Sequence, residues 1–342
     1  MNSRKIAIVL VFLLAVLSYV GCSSDPPNKT ENGRKDYVVY GWSNNRRENC
    51  VTYHTATGKV DSFAIPITSM SGMTISPDGS KLYLSRLRGI SVLDVATREI
   101  ISEIPHGSEL PVLFSPDGSV IAIQWPGLYL LRCSDDSVIH HSTGRSWSAT
   151  FSRDSKLFYH QYGDTLICVR TDNGSVLWQR SVRFDPYGTM VISRDDGTLY
   201  DYSWYGGHLR GYDIAGDSML PEAPVGYGVS NMVISPNGSR IYLTSGGDMD
   251  SPPAPFTFAV YDVLFNKKLD SVRILATAER CVYGQYATGG YLAMSPDGLL
   301  FVTESLRRNS IGLVVYDPTR PDTAKIVCTK REMSYLTCQT KP

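Results

Sequence analysis

A turn that recurs six times constrains this chain more than any other feature. The segments ISPDGSKLYLS from Ile75, FSPDGSVIAIQ from Phe114 and FSRDSKLFYH from Phe151 each join two apolar runs through a polar turn. So do ISRDDGTLYDY from Ile192, ISPNGSRIYLT from Ile234 and MSPDGLLFVTE from Met294. Their leading serines, Ser76, Ser115, Ser152, Ser193, Ser235 and Ser295, are spaced by 39, 37, 41, 42 and 60 residues. A lone hairpin of this kind cannot bury its own apolar faces. A repeat of about 40 residues with turn chemistry at fixed phase buries them by stacking each unit on the next.

The turn is legible residue by residue. Proline presets φ at the second position, aspartate bonds nearby N–H groups, and glycine accepts positive φ. Ser152-Arg153-Asp154-Ser155 lacks both proline and glycine, and Arg194-Asp195-Asp196-Gly197 reads as one residue longer. Both are expected to be looser. A second hairpin alternates with the first, near 50–63, 90–101, 129–140, 165–180, 208–220, 258–273 and 312–327. Asp94, Asp213, Asp262 and Asp317 recur at one place in it, as expected of residues that cap a turn.

Each repeat thus carries four short strands, here a, b, c and d. Seven second hairpins face only six first ones, and the missing inner strand has a candidate in Met333–Cys338 at the far end of the chain. Joined to the strand that starts with Tyr37–Tyr40, it closes a ring and hides the edges of an open array. The expected fold is all-β, a seven-bladed β-propeller of four-stranded antiparallel blades closed by the C-terminal strand. The blocks SPDGSKLYLS, SPNGSRIYLT and SPDGLLFVTE resemble the YVTN-type repeats of bacterial β-propellers, relatives in shape of WD40 repeats, over most of residues 37–342. That resemblance implies a fold and leaves the job open, since such propellers serve as binding platforms, assembly partners and occasional lactone-cleaving enzymes.

Ahead of the repeats, Arg4 and Lys5 precede the apolar run Ile6–Val20, which as a helix would reach only about 22 Å. That is short of a hydrocarbon core of roughly 30 Å, so residues 1–21 read as a signal peptide. The run ends Tyr19-Val20-Gly21-Cys22, which resembles the lipobox of bacterial lipoproteins. The resemblance implies lipidation of Cys22, a tether over 22–36, a propeller domain over 37–342 and a place in the cell envelope, at the outer membrane or the outer face of the cytoplasmic membrane. Losing 1–21 removes two basic residues and no acid, leaving 31 basic against 33 acidic side chains. A balance so near neutral offers nothing to nucleic acid. Six cysteines follow Cys22 without a CxxC pair, and they are expected to stay free.

The a–b turns are short, so recognition is expected on the opposite rim, built by b–c and d–a loops. Its largest additions are Ser245–Pro255 and Ala276–Gly290. The candidate ligand-binding residues are Trp42, Arg86, Trp125, Trp204, Tyr205 and Arg307 from b–c loops. Trp147, Tyr187, Tyr227, Tyr283 and Tyr286 come from d–a loops. Aromatics interleaved with arginines suit a protein, peptide or glycan partner. No HExxH, GxSxG or phosphate loop occurs, and no cofactor or catalytic residue is assigned. His140 and His141, adjacent on a strand, should point to opposite faces. The alternative is a propeller hydrolase or lactonase whose site is assembled across blades at the central channel.

Overall fold

The computed structural model describes residues 36–42, 49–67, 69–106, 108, 110–124, 127–144, 148–184, 188–202, 207–224, 229–245, 257–262, 267–273, 292–295, 297–307, 310–318, 325–328 and 334–340. The described strands form seven antiparallel sheets. The first consists of Ser334–Thr340, Tyr37–Trp42, Cys50–His54 and Val60–Phe63, so the C-terminal strand pairs with the first strand of the repeats. The second runs Gly72–Ile75, Lys81–Arg86, Gly89–Asp94 and Ile100–Ile104, and the third Leu113–Phe114, Val120–Gln124, Leu128–Arg132 and Val138–Ser142. The fourth is Ala149–Phe151, Leu157–Tyr162, Thr165–Arg170 and Val176–Ser181. In the fifth, Thr189–Ile192, Thr198–Tyr202 and His208–Asp213 are followed by an outer strand split into Ser218–Met219 and Ala223–Pro224. Pro221 and Pro224 donate no N–H, which an outermost strand tolerates. The sixth and seventh sheets begin at Val229 and Leu292 and end at Arg273 and Cys328.

This is a β-propeller of four-stranded antiparallel blades. Apolar clusters fill the seams between sheets: Tyr83, Val92, Val112 and Ile121 join the second to the third, and Val120, Ala122, Phe151 and Phe158 the third to the fourth. Tyr159, Leu166, Ile192 and Tyr212 join the fourth to the fifth. Tyr200, Leu209, Met232 and Leu243 do the same for the fifth and sixth. The largest cluster holds residues of the first, second, sixth and seventh sheets together. Because both faces of a blade meet a neighbour, strands a to c are apolar at successive positions, as in Leu82-Tyr83-Leu84. The outer strands, such as Val176–Ser181, meet water and read as mixed polar segments.

The six turns share one hydrogen-bond pattern. Each leading serine hydroxyl donates to the Asp or Asn two residues on, as in Ser76–Asp78 (2.5 Å), Ser152–Asp154 (2.7 Å) and Ser193–Asp195 (2.5 Å). The same hydroxyl accepts the N–H five residues on at Lys81, Val120, Leu157, Thr198 and Arg240. The turns at Ser152 and Ser193 are therefore as tight as the others, contrary to expectation, and neither carries an additional residue. The turn that departs is Ser295–Leu299, where the N–H comes from four residues on. Gly79, Gly118, Gly238 and Gly298 hold the positive-φ position, and in the two turns without glycine there Ser155 (φ 63°) and Asp196 (φ 57°) take it.

Those two side chains bridge to the preceding turn. Ser155 Oγ accepts the Asp117 N–H (3.0 Å), and the Asp196 carboxylate accepts the Arg153 N–H (2.9 Å). The left-handed conformation, which costs roughly 1 kcal/mol for a residue with a Cβ, is offset by a bond between blades. Replacing Asp196 by Ala should therefore cost about 1–2 kcal/mol, while glycine there, which relieves the backbone, should cost less. Urea midpoints of the two variants check the order. The expected Asp capping holds at two of the four positions: Asp94 accepts the Thr97 N–H (2.8 Å) and Asp213 the Ala215 N–H (3.0 Å).

Candidate functional site

The rim opposite these turns is built where b strands end and c strands begin. Trp125, Trp147, Tyr187, Trp204, Tyr205, Tyr227, Tyr283 and Tyr286 lie outside the described residues, as do Cys22, the insertion 276–290 and all of the insertion 245–255 but Ser245. Arg307 ends the second strand of the seventh sheet, opposite Ser310. Trp42 ends Tyr37–Trp42 and is buried in the cluster that joins the first sheet to its neighbours. Arg86 and Arg88 flank Leu87, which is 71% exposed at the b–c turn of the second sheet. The Arg86 guanidinium pairs with Glu103 on the outer strand, and Ser91 Oγ donates to the same carboxylate (2.9 Å). Sequence spacing hides that ion pair, since the partners meet only through sheet register.

Three rings stack on the outer part of the rim. His106 lies 4.3 Å from Tyr129 between ring centroids, and Tyr129 lies 4.4 Å from His141, with each pair of planes 25° apart. His140, one residue away, points the other way as expected, and its Nδ1 lies 3.0 Å from the Gly174 carbonyl of the fourth sheet. A Cβ on Gly174, whose φ is +73°, would lie 1.9 Å from the Ile139 carbonyl oxygen, so the seam closes only with glycine there.

Deeper in, the ends of the b strands carry polar side chains that the blades bury. Ser85, Gln124 and Gln161 each stand nine residues after the leading serine of their turn. By alternation with Tyr83, Ala122 and Tyr159 they point forward into the next seam. Gln161 Nε2 donates to the Gly163 (2.7 Å) and Phe184 (3.0 Å) carbonyls, tying strand b to the loop ahead. Gln124 has no such tie: both its amide atoms are buried without a hydrogen bond. His160 faces the same seam from the other side, level with Phe158, and neither ring nitrogen is bonded. Its ring centroid lies 6.0 Å from that of His140. Burial, with His140 as a lesser cause, pushes the His160 pKa down to about 3, so the ring is neutral. Burial also lowers His140.

Asp201 is fully buried in the next seam, with Ser148 Oγ at 3.4 Å. His160 and Asp201 therefore stand on opposite sides of the fourth sheet. Neither residue is marked by a motif in the sequence. The available signal was a polar side chain at a repeat phase whose flanking positions are apolar. Cys50, Cys133 and Cys168 are free, as expected, and burial raises all three thiols, Cys133 and Cys168 to about 12. They are poor nucleophiles at neutral pH. Cys281, Cys328 and Cys338 lie outside the described side chains.

No family model and no curated protein sequence matches the chain. Its shape is similar to solved propellers. One is Kuenenia stuttgartiensis hydrazine synthase, at a TM-score of 0.59 and 18% identity, covering 75% of this chain and 80% of that one. Another is a candidate 6-phosphogluconolactonase from Bacteroides uniformis, at 0.64 and 14%, covering 90% and 100%. At such identities the likeness concerns the fold.

Proposed function

We propose that the chain is a lipid-anchored cell-envelope protein, a seven-bladed propeller that binds a protein, peptide or glycan partner through its b–c and d–a rim. The observation that carries this proposal is the difference between the two rims. On one, every turn serine and its Asp or Asn are engaged within the turn, and Ser155 and Asp196 bond the turn before. On the other, an Arg-Leu-Arg turn and a three-ring stack reach the surface, above buried amide and imidazole groups without partners. Recognition uses groups left over after folding.

The anchor rests on the Gly21-Cys22 junction and the short apolar run before it. The mature protein is expected to begin at Cys22 with acyl chains attached, and its intact mass measures this; an unmodified N-terminus would make it a soluble exported protein. The rim is tested by affinity capture from the native envelope. Replacing Tyr283 and Tyr286 together by Ala is expected to reduce capture at least tenfold and to leave the melting temperature within about 2 °C, as surface changes do. Equal loss of stability would make both rings core.

A second reading, a hydrolase with a site at the central channel, is supported by the name of the Bacteroides uniformis neighbour and by the fully buried Asp201 carboxylate. Turnover of a phosphorylated sugar lactone, abolished by Asp201→Asn, would establish it in place of binding.

A further inference from the structure

We infer that the rim end of the seam between the third and fourth sheets is a binding site for a neutral, hydroxyl-bearing group such as the end of a glycan, held by Gln124 and His160. The inference rests on the rim being the recognition face, and it names the chemistry of one place on it.

The repeat supplies its own control. At one phase of three successive blades stand Ser85, Gln124 and Gln161. In the fourth sheet the carboxamide nitrogen bonds the Gly163 carbonyl of its own b–c turn and the Phe184 carbonyl of the connection to the next blade, while its oxygen is buried without a partner. In the third sheet the same side chain bonds nothing, although it is fully buried. Its backbone is nonetheless fixed, because Ser108 Oγ donates to the Gln124 carbonyl at 2.5 Å. His160 is equally fixed, opposite Ala149 in the ladder and beside the Phe158 ring at 5.8 Å. Two rigid, buried polar side chains without partners in one seam are costly to keep, because each gives up its bonds to water and gains none in return. Groups held so are prearranged for something that joins them.

Their chemistry selects the ligand. A carboxamide offers two donors and an acceptor, and a neutral imidazole one of each. Hydroxyl groups donate and accept at once and satisfy such a mixed set, whereas a carboxylate or phosphate finds no positive charge in it. His140 supplies none, because burial disfavours its charged form and outweighs the opposing effect of the Gly174 carbonyl at its Nδ1.

Saturation-transfer NMR on the intact mature protein tests this, with glucose, galactose and N-acetylglucosamine as probes. At least one is expected to receive saturation, and its signal should fall at least tenfold in Gln124→Met and in His160→Phe. Both variants should melt no lower than the parent, because each replaces an unmet polar group by an apolar one of similar size. His160→Gln should retain part of the signal, which guards against a folding defect in the phenylalanine variant. Signal that persists undiminished in both apolar variants overturns the inference and places sugar binding elsewhere. No signal from the parent, with Gln124→Met more stable, also overturns it and leaves a seam that holds water alone. In either case, loss of partner capture by the Tyr283/Tyr286 variant would leave the rim intact as the recognition face.

Discussion

A chain ending at Glu332 is expected to fold poorly or not at all. Ser334–Thr340 is the inner strand of the first sheet and pairs with Tyr37–Trp42 from Tyr37↔Thr340 to Trp42↔Ser334. It also lies against the inner strands Gly72–Ile75 and Leu292–Met294, so its loss opens two seams at once. Tyr37, Val39, Tyr53, Met73 and Met294 belong to the cluster it covers and are almost wholly buried. Exposing roughly 300 Å² of that apolar surface would cost about 7 kcal/mol at 25 cal/mol per Å². Domains of this kind have only about 5–15 kcal/mol in total. The loss also leaves six residues of unpaired edge, Tyr37–Trp42, which invites association. Soluble yield and melting temperature should both collapse, and a synthetic peptide spanning Met333–Pro342 should restore part of each. A truncated chain that melts within a few degrees of the full one would show that the ring is held elsewhere.

The repeat was legible because its signals are short-range. Serine, aspartate and glycine at fixed offsets specify a turn without reference to the rest of the chain, and counting strands then demanded one from the C-terminus. What escaped depends on contacts between blades. Ser155 and Asp196 look like poor turn residues until the preceding turn, whose N–H groups they bind, is in place. The pairing of Arg86 with Glu103 and the burial of Trp42 likewise require the register of whole sheets. Gln124 and His160 share a seam only because strand alternation turns one forward and the other back. A single strand read alone shows neither.

That seam should also make the protein acid-sensitive in a particular window. An unfolded chain takes up a proton on each histidine near pH 6.5, but folded His160 resists protonation down to about pH 3, chiefly through burial. Below pH 6.5 the unfolded state binds the extra proton, so stability falls as pH drops and levels off only near pH 3; above pH 6.5 the group contributes nothing to the slope. At 1.36 kcal/mol per pH unit, acidification from pH 7 to pH 5 should cost on the order of 2 kcal/mol, or roughly 3–6 °C in melting temperature. His140, also lowered by burial, adds to the slope in the same direction. The turn aspartates act in a different range. Asp154 and Asp195 are held below the usual carboxylate value by the hydroxyls of Ser152 and Ser193, so their contribution is present at pH 5 and is lost only as pH falls below about 4. Melting curves from pH 7 to pH 3 separate the two sources. His160→Gln, which does not titrate, should remove the His160 slope from pH 6.5 down to about pH 3, so that its curve is flatter than the parent's above pH 4 and keeps the aspartate contribution below it. Parallel curves for parent and variant across the upper window would mean that His160 takes up its proton in the folded protein near pH 6.5, as in the unfolded chain, and that burial does not hold it neutral.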